Sequence, residues 1–138
     1  MATFTRQYAG ISNVGSYQVS GKPYITGSDD LDDTQEHKIV FPYITKMVRV
    51  RNLGSPDLRV HFASTGSSPR VYDGLHYITL ASASAENDSI TMNVKCKEIY
   101  VSNQDTENNG KYEIFAELTG IETGEMKDGY MTGSGITD

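Results

Sequence analysis

Ile90-Thr91-Met92-Asn93-Val94-Lys95-Cys96 places an apolar side chain at every second position, with Thr, Asn and Lys between. Successive side chains of a β-strand point to opposite faces, so this stretch reads as a strand with one buried face and one wet face. The same period recurs on both sides of it. Ile44, Val48 and Val50 share one face of 44–51, with Thr45, Met47, Arg49 and Arg51 on the other. Leu58, Val60 and Phe62 form an inward set, 76–80 continues the style, and Tyr112, Ile114, Ala116 and Leu118 form the last one. After Cys96 the phase slips, because Ile99 and Val101 are odd-numbered; a bulge or sharp bend near Lys97-Glu98 is expected there. Gly54-Ser55-Pro56-Asp57, Gly66-Ser67-Ser68-Pro69, Asp73-Gly74 and Asn108-Asn109-Gly110 supply turn chemistry between the runs. No stretch holds a 3.6-residue period for three turns. The fold expected is all-β, a small β-sandwich or barrel in which a jelly-roll-like arrangement is one option.

Outside the alternating middle, the chain changes style. Residues 1–36 are polar and rich in Gly, Ser and Thr, and residues 122–138 return to that style after the strand-bearing 37–121. The division expected is an extended N-terminal arm (1–36), a β core (37–121) and a C-terminal arm (122–138). Single apolar and aromatic residues stud the flanks, and Phe4, Tyr8, Ile11, Val14, Tyr17, Val19, Tyr24, Tyr130 and Met131 are the expected anchors on a partner. An amphipathic tyrosine ring suits this use, since it fills a pocket while its hydroxyl stays hydrogen-bonded. Tyr24-Ile25-Thr26-Gly27-Ser28 also echoes Tyr130-Met131-Thr132-Gly133-Ser134, which is too short to establish a repeat.

Composition narrows the functional classes. The chain has 138 residues, enough for one domain, with 37% apolar and 22% charged residues. Its net charge of −6 argues against a nucleic-acid partner, whose binder usually carries a basic face. No apolar run approaches the length of a membrane helix, and no membrane partner is expected. Met1-Ala2-Thr3-Phe4-Thr5-Arg6 lacks the apolar stretch of a signal peptide. One cysteine cannot form a disulfide framework.

Few residue sets carry chemistry. Asp29, Asp30, Asp32, Asp33 and Glu36 crowd into eight positions, but without the alternating ligands and glycine of a calcium loop. Lys38, Lys46, Arg49, Arg51 and Arg59 face one acid, Asp57, across 38–59. An acidic run beside a basic sheet face suggests charge pairing between subunits or with a partner, with Asp29, Asp30, Asp32, Asp33, Arg49 and Arg51 setting orientation. His37, His61 and His76 lack zinc spacing, and His61 and His76 are read as strand residues in surface or cross-strand packing. The glycine-bounded 10–16 lacks the lysine of a phosphate loop, and no Gly-x-Ser-x-Gly elbow exists. Cys96, on the apolar face of its strand, is expected to be a buried, inert thiol. Neither catalytic residues nor a metal or cofactor are expected.

The stretch Arg6-Gln7-Tyr8-Ala9-Gly10-Ile11-Ser12-Asn13-Val14-Gly15-Ser16-Tyr17-Gln18-Val19-Ser20-Gly21 resembles the N-terminus of small virion structural proteins from tailed phages, especially those of cyanobacteria. Residues 35–43, 58–62, 94–102 and the ending Met131-Thr132-Gly133-Ser134-Gly135-Ile136-Thr137 resemble the same group. The resemblance implies a non-enzymatic decoration (cement) protein on the capsid surface, made in the host cytoplasm. Its partners would be the major capsid protein or neighbouring virion proteins and further copies of itself, a trimer being one arrangement. Two other readings stand beside it: a neck, tail or fibre component, and a carbohydrate-binding β-sandwich whose exposed tyrosines carry the sugar.

Overall fold

The alternating stretches give strands, although 93–96 of the opening stretch lie in none, and all strands pair antiparallel in a computed structural model that describes residues 21–66, 70–83 and 85–125. In chain order these are β1 (Lys22–Leu31), β2 (Glu36–Val40), β3 (Tyr43–Asn52), β4 (Leu58–His61), β5 (Ile78–Leu80), β6 (Ser89–Met92), β7 (Glu98–Asn103) and β8 (Gly110–Glu122). One helical turn, α1 (Arg70–Asp73), lies between β4 and β5, and a 3₁₀ turn at Thr123–Glu125 follows β8. Two four-stranded sheets result, ordered β1-β8-β3-β6 and β2-β7-β4-β5.

Their pairing has a simple logic. β1 pairs with β8, β2 with β7, β3 with β6 and β4 with β5, as though one two-stranded ribbon had been rolled up. The β3–β8 and β4–β7 ladders then close each sheet. This winding is that of a jelly roll, so the sandwich is the outcome of the all-β expectation. Between the sheets lie Val48, Val50, Leu58, Ile99, Val101 and Ile114, each 0–1% exposed. Burying a side chain of this size contributes about 1.5–3 kcal/mol relative to leaving it in water.

The phase slip after Cys96 marks a change of sheet. The chain leaves the first sheet at Met92, crosses along 93–97 with a bend at Lys97, and enters the second sheet at Glu98. Thr45 anchors the crossing: its hydroxyl donates to the Val94 carbonyl (2.8 Å) and accepts from the Cys96 N–H (3.1 Å). The same residue sits between two register shifts in the β3–β8 ladder.

The expected boundary at residue 36 does not hold. Lys22–Leu31 pairs along β8 as an edge strand and Glu36–Val40 along β7, so 22–36 belong to the sandwich. The pattern hid this because β1 has the reverse of a core strand's chemistry. Tyr24, Thr26 and Ser28 are its half-buried residues, two of them small and polar, while Ile25 faces out. At its other end the core reaches beyond 121, to Glu122 at the end of β8.

Candidate functional site

The open side of the sandwich lies where β1 and β2 form the free edges of the two sheets. Between them runs a solvent-open cleft of about 440 Å³, lined by Tyr24, Thr26, Ser28, His37, Lys38 and Tyr112 among others. Strand alternation turns Tyr24, Thr26 and Ser28 toward it from β1, and Tyr112 reaches its floor from β8. His37 Nδ1 lies 3.0 Å from the Tyr112 hydroxyl, with the rings edge to face. Burial raises the Tyr112 phenol above its ordinary value, so it remains a neutral donor and acceptor. Tyr24 packs edge-on against Phe41, with centroids 5.4 Å apart. Hydroxyls, an imidazole and two strand edges make this a surface for hydrogen-bonded binding.

A second polar cluster lies on the outer face of the β2-β7-β4-β5 sheet. Register places Glu36 beside Ser102, Ser102 beside Arg59, and Tyr100 beside both Lys38 and His61. The segment between β4 and β5 covers part of this face. Arg59 lies over the rings of Tyr72 and Tyr77, 4.9 and 4.4 Å from their centroids. Ser64 Oγ and the Thr65 N–H both donate to the Glu36 carboxylate at 3.1 Å. Lys38 pairs with Glu98 at 2.9 Å, which holds its ammonium pKa above the usual value.

At the centre of this cluster Ser102, His61 and Glu36 meet, the residue types of a hydrolase triad in a different geometry. The Ser102 hydroxyl is hydrogen-bonded to His61 Nε2, and Glu36 Oε1 lies 3.5 Å from the same nitrogen. Nδ1 instead donates to the Ala63 carbonyl at 2.6 Å. A nucleophilic triad needs its acid on the nitrogen opposite the hydroxyl, and its hydroxyl open to substrate. Here Ser102 is 1% exposed, and Tyr100 stacks on the imidazole with ring planes 5° apart. Burial lowers the His61 pKa, opposed by the Ala63 carbonyl and the Glu36 carboxylate. The network ties β2, β4 and β7 together. Its signal was absent from the sequence, since 36, 61 and 102 meet only through register.

The expected site residues separate into groups. Phe4, Tyr8, Ile11, Val14, Tyr17, Val19, Tyr130 and Met131 lie outside the described residues. Tyr24 is half-buried within the sandwich, where Phe41 receives it. Asp29 and Asp30 are exposed at the register shift that ends β1, while Asp32 and Asp33 form the corner into β2. Arg49 and Arg51 are exposed on the outer face of the β1-β8-β3-β6 sheet. Arg51 lies 3.8 Å from Asp88 and 3.9 Å from Glu113, and Lys46 lies 3.9 Å from Glu117. Of the basic residues of 38–59, Lys38, Lys46 and Arg51 thus find acids on β7, β8 and the turn before β6, and the acidic run is not among these partners. His37 and His61 occupy strands, whereas His76 precedes β5. Cys96 is buried, and desolvation pushes its thiol up to about 11, as suits an inert thiol. Among the described residues, no His, Cys, Asp and Glu side chains cluster as metal ligands.

No protein-family model matches this chain, and no curated protein matches it.

Proposed function

We propose that the chain is a non-enzymatic structural protein of a tailed-phage virion, a decoration protein that binds and stabilises the capsid shell. The observation that carries this reading is how the core is placed along the chain. The buried cluster is built from residues between Leu31 and Leu118, and the strands begin at Lys22. The stretches 6–21 and 131–137, whose wording resembles phage virion proteins, lie to either side of that core. A small sandwich whose buried cluster draws its members from neither flank leaves both for attachment. Repetition over a symmetric shell would then convert a modest contact into strong avidity.

Quantitative mass spectrometry of purified particles tests the reading. Copy number in proportion to shell subunits is the expected result. A few copies per particle would place the protein in the neck, tail or fibre, and its absence from particles would end the virion reading.

A further inference from the structure

Pro23 fixes which side of β1 faces outward. Proline has no N–H, so the Pro23–Glu117 pair is framed by hydrogen bonds from the residues on either side of it. Register is unbroken from Lys22 to Ser28, so the even-numbered residues exchange hydrogen bonds with β8. The N–H and C=O groups of Ile25 and Gly27 point the other way, toward an edge that no described strand occupies. Among the described residues, no backbone hydrogen bond outside the ladders reaches either of them. The Ile25 side chain is 76% exposed, the highest value among the exposed large apolar residues.

Natural sheet edges are guarded by charge, proline and bulges, because an open edge templates another strand. β1 is guarded only at its ends. Lys22 and Pro23 stand at one, and the register shift with Asp29 and Asp30 stands at the other. Between them Tyr24-Ile25-Thr26-Gly27-Ser28 carries no charge.

We infer that this edge joins two copies of the chain, antiparallel about a two-fold axis at Thr26. Such an axis keeps like faces together, so odd residues oppose odd residues. Ile25 of one copy then lies opposite Gly27 of the other, and their outward N–H and C=O groups exchange hydrogen bonds. The exposed isoleucine covers the position where the second copy has no side chain. Lys22 of each copy, whose ammonium lies over the Tyr43 ring 4.7 Å from its centroid in the single chain, comes to the Asp29–Asp30 end of the other, so both ends match in charge. That match selects the second copy over the terminal echo Tyr130–Ser134. The echo would also set a glycine opposite Ile25, but it would set Asp128, with Lys127 beside it, at the acidic end of β1 and Ile136 opposite Lys22, so it offers Lys22 no acid. A symmetric contact of this kind closes on itself, and its small area makes it weak in dilute solution. The inference does not depend on the virion reading.

Sedimentation velocity of the full chain over rising concentration, with amide hydrogen exchange beside it, tests the contact. A monomer–dimer equilibrium is expected, with concentration-dependent protection of the Ile25 and Gly27 amides. Ile25→Lys should give monomer at concentrations where the parent is dimeric, with an unchanged thermal midpoint. Lys22→Glu should weaken association several-fold, and adding Asp29→Lys and Asp30→Lys should restore it. A monomer throughout, a dimer that survives Ile25→Lys, or charge swaps without effect would overturn the inference. So would protection of both amides in the monomer, because the chain itself would then cover the edge.

Discussion

At His61, burial and hydrogen bonding act on the imidazole in opposite senses. Desolvation is the larger effect and favours the neutral ring, Arg59 adds to it, and Glu36 and the Ala63 carbonyl oppose it. Ser102 and Tyr100 complete the surroundings and are uncharged at neutral pH. The folded-state pKa therefore lies below the ordinary 6.5, and the unfolded chain binds the proton more readily. The stability contribution of His61 should be complete above about pH 6.5 and be lost as pH falls through the lower folded-state value. Urea midpoints at pH 7.5 and 5.5 check this: the acid loss should be smaller in His61→Gln than in the parent, and an equal loss would refute the assignment. The sequence placed His61 in a strand, in surface or cross-strand packing, and the structure gives the second, against Tyr100. It did not show that the strand's nominally wet face is covered, because the covering residues arrive from the segment after β4. Asn52 and Asn103 were illegible for a related reason. Both are fully buried, and their amides satisfy carbonyls and N–H groups of the segments after β3, β5 and β7, at distances known only once the loops close.

Among the elements, β8 was legible from Tyr112 to Leu118, short of its end at Glu122, and β1 was not. Tyr112, Ile114, Ala116 and Leu118 are buried as alternation predicts, with Glu113 exposed between them. β1 lies at an edge, and between Tyr24 and Leu31 its half-buried residues are Thr26 and Ser28, so no apolar period marks it. Its defining residue is Gly27. A Cβ there would meet the Tyr112 carbonyl oxygen at 2.7 Å, and backbone cannot rotate aside as a side chain can. Gly27→Ala should force β1 away from β8 at a cost of about 1–3 kcal/mol, the usual range for overpacking. Denaturant unfolding should show this loss, whereas Thr26→Ser, one position away on the half-buried face, should lie within about 0.5 kcal/mol of the parent. The acidic run also changes meaning at this scale. Asp29 and Asp30 interrupt an exposed edge, and Asp32–Thr34 turn the corner, with Thr34 at φ 57°. Charge at such positions limits unwanted strand pairing, so the run has a structural reason independent of any cation.

For the whole molecule, the decisive boundary lies between the sandwich and what precedes it. A cut at residue 28 and a cut at residue 20 should behave differently. Deleting 1–28 removes β1 up to its register shift, bares the β8 edge and takes away the Tyr24–Phe41 contact. Losing an edge strand should cost at least about 3 kcal/mol, a large share of the roughly 5–15 kcal/mol that keeps a domain folded. Deleting 1–20 leaves every described strand and the buried cluster in place. That shorter protein should unfold with the cooperativity and thermal midpoint of the parent. If residues 6–19 anchor the chain to a shell, it should also fail to co-sediment with capsids that the parent decorates. Failure of the 1–28 deletion to attach would be ambiguous between lost folding and lost anchoring, and the 1–20 deletion separates them. A folded, non-attaching 1–20 deletion would support the anchoring role of the flank. A folded one that still saturates capsids would move attachment onto the sandwich itself, where the β1–β2 cleft is the surface to mutate next.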